Sequence, residues 1–364
     1  MLPNGDPKTA FDTLQDRHLV EYAPTLPPSH SPTPLIRQHN LIRSIAYDLL
    51  KTDRSTWEAA ERQAAHLWLT AYHPAPDAPH LETVRGYLEA FDHYCEVGDW
   101  EAAKHIAWTR LDTPTHEYLC LQLGTWGCFQ EQTCLHRRQL DVARKMNDVQ
   151  EIGCALCNLG NAYYSLGQYE QAIDYHQQHL TIAREIGDRW GQGAALGNLG
   201  NVYDNLGQYE WATEFYQQCL TIARETDNRR GEGNALGSLG LIYNSLGEYE
   251  WTIDYHQQHL SIAREIGDRR GEGAALVNIG ATQLKLKQYP DSLRNNQIAL
   301  EIFREIGDRT NEAEALKNLA ELHQALGELG VARQYGQQAL ALSTELGISL
   351  KAECEALMAE LGKG

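Results

Sequence analysis

The sequence is short of positive charge: 31 Lys and Arg stand against 49 Asp and Glu, a formal charge of −18. Phosphate backbones are bound through cations that displace counterions, so this balance argues against nucleic acid as a partner and disfavours anionic membrane surfaces. Long apolar runs are missing too. No stretch reaches the roughly 18 residues of a membrane span. Met1 to Pro7 has no basic start leading into an apolar segment, so no secretory signal is read and a cytoplasmic protein is expected. The GxxxxGK[ST] loop that cradles phosphate is absent. No Ser/His/Asp constellation or metal motif is found, so we expect no enzyme, no cofactor and no metal. The eight cysteines (95, 120, 128, 134, 154, 157, 219 and 354) lie in a chain of 364 residues without a signal peptide, and read as reduced core residues rather than a disulfide frame.

What the sequence does have is repetition. Asn158-Leu159-Gly160-Asn161 recurs as Asn198-Leu199-Gly200-Asn201, then Ser238-Leu239-Gly240-Leu241, Asn278-Ile279-Gly280-Ala281 and Asn318-Leu319-Ala320-Glu321; from Gly160 to Gly280 each step is 40 residues. Leu156, Leu159, Tyr163 and Leu166 are spaced as one apolar stripe of a helix. Gly160 opposite Ala172 is expected to let two helices approach closely. Gly167-Gln168 interrupts the chain between them, Gly187 suits a left-handed helix end, and Asp188 suits the cap of the next helix. Such amphipathic pairs cannot bury their apolar faces alone, so stacking must stabilise them.

These residues resemble the tetratricopeptide repeat. Its Leu-Gly-x2-Tyr pattern stands here as Leu159-Gly160 with Tyr163, and again with Tyr203 and Tyr243; its small second-helix residue stands as Ala172, Ala212 and Ala332, with Thr252 and Ser292 as near substitutes. Its closing proline is replaced by Arg184, Arg224, Arg264 and Arg304, so the second helix can run on, lengthening the usual period of about 34. The long period is similar to that of Partner-of-Inscuteable adaptors and kinesin light chains. The resemblance covers residues 119 to 346. It implies an all-α, right-handed superhelical solenoid of helix-turn-helix units.

The ends differ from the array. Residues 1–40 are read as a winged-helix remnant and a proline-rich loop, 41–118 as irregular helical pairs that break at Pro74 to Pro79, and 119–150 as a degenerate repeat. Five 40-residue units follow over 151–346, then a C-terminal capping helix over 347–364. Leu123-Gly124 lies 36 residues before Leu159-Gly160, which places a deletion between the two helices of the degenerate copy. Phe11 to Tyr22 and Leu35 to Arg43 resemble the winged-helix tail of STAND-type signalling NTPases of the NB-ARC kind, with a short β-wing near residues 19 to 38. His39 matches that family's nucleotide sensor but Asn40 stands where it has aspartate, so no nucleotide role is carried over.

The first helix of each repeat bears a second stripe opposite its core. Asn158, Asn161 and Ser165 share a face with Cys154. The next copies supply Asn198, Asn201 and Asn205, then Asn234, Ser238 and Leu241, then Asn278 and Lys285, then Asn318 with Lys317 beside it. The resemblance places this stripe on a concave groove, where asparagine amides offer a ligand backbone one donor and one acceptor. Lys285 and Lys317 are candidates for an acidic ligand end. His176, His179, His256 and His259 read as packing residues, and Cys154-x2-Cys157 lies within a helix without a second pair, unlike a zinc knuckle. Asp188-Arg189, Asp268-Arg269 and Asp308-Arg309 are expected to tie neighbouring repeats together as ion pairs.

The function expected is that of a protein- or peptide-binding scaffold, or of the ligand sensor of a bacterial signalling receptor that has lost its NTPase domain. The alternative is a peptide-responsive, quorum-type regulator without its output domain. Self-association through the open solenoid ends is a further expectation.

Overall fold

The computed structural model describes residues 20–22, 36–38 and 51–362, apart from 76 and 114–115. It divides into two units, Met1–Trp126 and Gly127–Gly364.

In the first unit, β1 (Val20–Tyr22) and β2 (Ile36–Gln38) pair antiparallel, with Glu21 in register with Arg37. The pair falls where the short wing is expected; the rest of the expected winged-helix remnant and the start of the expected helical pairs, before residue 51, lie outside the described residues. The Asp53 side chain caps α1 (Arg54–Thr70) by accepting from the Thr56 amide. After the proline-rich break, α2 (His80–Val97) packs against α1. Gly86 is essential there, because a Cβ would lie 2.6 Å from the Trp68 carbonyl oxygen. The short helices α3 (Trp100–Ala107) and α4 (Leu119–Thr125) follow, and Phe91, Ala103, Ile106 and Leu119 are buried.

The second unit is a helical solenoid. It opens with α5 (Phe129–Met146) and continues as five helix pairs: α6 (Val149–Ser165) with α7 (Tyr169–Glu185), α8 (Arg189–Asn205) with α9 (Tyr209–Glu225), α10 (Arg229–Ser245) with α11 (Tyr249–Glu265), α12 (Arg269–Lys285) with α13 (Tyr289–Ile306), and α14 (Arg309–Ala325) with α15 (Leu329–Leu346). Helix α16 (Leu350–Leu361) closes the end. Each first helix starts at a side-chain cap, from Asp148, Asp188, Asn228, Asp268 or Asp308, that accepts the backbone N–H three residues on. Each pair turns through a left-handed residue, glycine at 167, 207, 247 and 327 but Lys287 in the fourth copy. Leu156 and Leu159, and their counterparts through Leu316 and Leu319, are at most 3 % exposed. Burying each such leucine contributes about 1.5–3 kcal/mol, which is what makes stacking favourable.

Three expectations are corrected. The side chain nearest Gly160 is His176 rather than Ala172: a Cβ there would run into the His176 ring, as one at Gly200 would meet Tyr216 and one at Gly240 would meet His256. The close approach is therefore between first-helix backbone and a ring one turn beyond Ala172. The degenerate copy has no deletion between its helices. Gly127 keeps the left-handed turn 40 residues before Gly167, and Leu119 is buried where the register puts the counterpart of Leu159; α4 instead lacks its opening turns. The repeat-linking arginines mostly pair with glutamates, since Asp188, Asp268 and Asp308 are occupied as caps. Arg189 reaches Glu225, Arg229 reaches Glu265, Arg269 reaches Glu305 and Arg309 reaches Glu345. Arg270 to Asp308 at 2.8 Å is the aspartate pair found among the described residues of this edge.

Candidate binding groove

A cavity of about 290 Å³ opens between the first helices α8 and α10, floored by α9. Asn198, Asn201, Asn234 and Ser238 supply polar edges, and Trp190, which is 63 % exposed, stands at the rim. Tyr216, Cys219, Ile222 and Ala223 form the floor. The Tyr216 hydroxyl donates to Asn201 Oδ1 at 2.7 Å. Burial lifts its ionisation far above the ordinary range, so this hydroxyl stays a neutral donor.

The cavity owes its existence to a small residue. In the flanking repeats His179 and His259 occupy the position of Cys219, and the His259 ring comes within 3.1 Å of where a Cβ at Gly237 would stand. In the middle repeat Cys219 lies 3.6 Å from that place at Gly197, and its thiol turns to the Gly193 carbonyl at 3.3 Å. A thiol replaces an imidazole, two glycines on α8 face it, and the space stays open. Arg189 is the cation in the lining, and its charge is matched by Glu225 and by a 2.8 Å hydrogen bond to Gln192. The cavity is therefore neutral.

The other residues of the expected stripe are distributed along the same series of first helices. Asn158 is half-buried and Asn161 exposed. Asn161 and Asn198 both turn their amides to Cys157 Sγ, at 3.9 and 3.7 Å. Burial raises the Cys157 thiol to about 11, which keeps it protonated and unreactive. The Ser165 hydroxyl donates back to the Asn161 carbonyl, and Asn205 donates to the Tyr164 hydroxyl at 2.6 Å. Leu241 is 45 % exposed and Asn278 half-buried. Lys285 donates to Asn244 at 3.0 Å and lies over the Tyr249 ring.

The C-terminal end of the stripe departs from expectation. Asn318 is 3 % exposed, and Lys317 is held by Glu353 of α16 at 2.6 Å with Glu314 and Glu321 nearby. Helix α16 packs on α14 and takes up the lysine's charge, so neither residue offers a surface to an acidic ligand. Trp190, Tyr216 and Cys219 are the residues that reading the stripe alone misses. The signal for them is the break in the histidine pattern at Cys219, visible only by comparing copies. Among the described residues no group of three or more His, Cys, Asp or Glu is placed to hold a metal. No described helix is long and apolar enough to cross a membrane.

Solved structures share the fold at low identity. Aspartyl phosphate phosphatase F from Bacillus subtilis is 17 % identical with a TM-score of 0.56, over 79 % of this chain and 82 % of that one. A STAND (Signal Transduction ATPase with Numerous Domains) protein with a tetratricopeptide repeat sensor, from Pyrococcus horikoshii, is 15 % identical with a TM-score of 0.52, over 99 % of this chain but 56 % of that one. A Rap protein complexed with competence and sporulation factor is 14 % identical with a TM-score of 0.50, over 89 % of this chain and 97 % of that one. No curated protein matches the sequence. Models of the tetratricopeptide repeat match residues 151–225, 235–270 and 272–345. Just over half of the chain is thus matched, and it belongs to the tetratricopeptide repeat family.

Proposed function

We propose that this chain is a peptide-binding scaffold that holds an extended segment along its first helices and buries one uncharged side chain in the cavity above Cys219. The observation that carries the reading is the neutral 290 Å³ space ringed by Asn198, Asn201, Asn234 and Ser238. It has room for about one large side chain, and amides beside it can pair with both the N–H and C=O of a passing backbone. The acidic chain favours a neutral or basic ligand. The STAND protein's repeat sensor and the Rap protein complexed with competence and sporulation factor have this fold, which supports the ligand sensor of a bacterial signalling receptor as the setting. The Rap likeness also supports a second reading, a peptide-responsive regulator that acts without an output domain in the described region.

Selection from a random peptide display library tests the proposal. Enriched peptides should share one large uncharged residue at a fixed place. Cys219→His restores the ring found in the flanking repeats, so it should fill the cavity and weaken those peptides by about tenfold or more while the fold persists. Peptides that bind the variant as tightly as the parent would put recognition elsewhere.

A further inference from the structure

A second surface lies at the edge where each repeat turns from its first helix to its second. Trp211 and Trp251 occupy the same place one repeat apart, in the first turns of α9 and α11, and are 54 and 56 % exposed. Neither indole is loose. Trp211 lies 6.2 Å from the Tyr203 ring; Trp251 lies 6.2 Å from Tyr243 and 6.4 Å from Tyr255. Leu206 and Leu246, at the ends of α8 and α10, add 40 and 48 % exposed apolar surface beside them. Single exposed apolar residues need no explanation, but braced tryptophans with leucines, repeated along one edge, mark an interaction surface.

Within these two repeats the charges around this face have one sign. Residues 190–223 and 231–263 contain no lysine or arginine. The arginines of these repeats stand at the opposite edge, where Arg224, Arg229, Arg264 and Arg269 are matched by glutamates. Beside the tryptophans stand the exposed Glu210, Glu214, Glu250 and Asp254, none of them in an ion pair among the described residues. The helix dipole accounts for Glu210 and Glu250, which sit in first turns, but not for Glu214 and Asp254 a turn later. Cations appear on this edge in the next copy, which closes the strip at one end: Lys285, engaged by Asn244 and Tyr249, with the exposed Lys287 and Arg294 beyond it.

We propose that this edge docks a basic amphipathic helix of a partner protein, its apolar side on Trp211 and Trp251 and its lysines or arginines over the four carboxylates. Aromatic faces and carboxylates both attract such cations, the first by cation–π contact and the second by Coulomb attraction. A second copy of this chain is a poor occupant, because like edges would bring like charges together in a protein of net charge −18. The inference is independent of the groove, which lies on the first helices.

The probe is a synthetic amphipathic helix made only of leucine and lysine, titrated into the whole chain at near-physiological salt. Trp211→Ala with Trp251→Ala should weaken it about tenfold, and so should Glu214→Gln with Asp254→Asn. Cys219→His should leave it unchanged, which separates this surface from the groove. A peptide of lysine and serine should bind far more weakly. Equal binding of that peptide would reduce the effect to bulk charge and overturn the proposal, as would undiminished binding by the tryptophan variant. Concentration-dependent dimerisation lost in the tryptophan variant would assign the edge to self-association instead.

Discussion

Tyr216, a buried ring on the second helix α9, donates its hydroxyl hydrogen to Asn201, an exposed groove residue on the first helix α8, at 2.7 Å. The groove amide is thereby part of the floor. Asn201→Ala leaves the hydroxyl without this acceptor, and the expected cost is about 1–2 kcal/mol of folding stability. Asn161→Ala, whose side chain reaches only a sulfur, should cost close to nothing because alanine is the better helix former. Thermal unfolding of the two variants distinguishes them, and equal melting temperatures would show that the bond is not structural. The consequence for binding studies is that Asn161 and Asn198 report on ligand cleanly, whereas Asn201 does not.

Gly200 faces the same ring. A Cβ there would stand 2.6 Å from Tyr216 Cε1. The ring is pinned by its hydroxyl and surrounded by Leu220, Leu236 and Leu239 in the core, so it has little freedom to yield. Gly200→Leu should cost about 3 kcal/mol, measured as a lower urea midpoint. A variant as stable as the parent would mean that the two helices separate freely.

Burial pushes the imidazoles of His136, His176 and His256 down from 6.5 to about 4. The folded protein holds these rings neutral, while the unfolded chain protonates them at its ordinary value. Their contribution is therefore complete above pH 6.5 and is lost as pH falls towards 4. It amounts to about 3 kcal/mol for each ring at full effect. Melting temperature should drop steeply between pH 7 and pH 4.5. His176→Tyr copies the Tyr216 arrangement, with Gly160 and Asn161 in place to receive it, and should reduce that slope. If the slope of this variant matched the parent's, His176 would not be one of the groups responsible.

Lys287 holds φ at 61° in a turn where the other copies have glycine. A side chain in that region costs about 1–2 kcal/mol, partly offset because glycine loses more entropy on folding. Lys287→Gly should raise stability by up to about 1 kcal/mol, seen as a higher urea midpoint at unchanged slope. No gain would indicate that the lysine makes compensating contacts.

The helical period of Leu156, Leu159 and Tyr163, the capping aspartates and the turn glycines are local signals, and they specify the array from the sequence because each acts within one repeat. The stripe of first-helix amides was legible for the same reason. What escaped was set between elements. That Lys317 is neutralised depends on α16, which arrives 36 residues later, and that Gly160 answers to His176 depends on how two helices cross. In the degenerate copy a second Leu-Gly pair, Leu123-Gly124, competes in the sequence with the true register, which the left-handed turn at Gly127 fixes. The cavity at Cys219 depends on a difference between copies rather than on any one of them.

That difference has a consequence for how a ligand is read. Along a periodic groove an extended chain could slip by one repeat and exchange each contact for its equivalent, so nothing would fix its alignment. The single thiol, with a histidine at its position in the copy on either side, breaks the translation symmetry. A side chain seated above Cys219 that slips by one repeat in either direction meets a histidine. In the fourth copy Ala299 is smaller still, but Val277 stands in place of Gly197 and Phe303 packs against Gly273. The whole ligand is thus indexed from that point, as a key is by its shoulder. Moving the thiol by one repeat, to position 179 or 259, would move the frame in which the sequence of the ligand is measured.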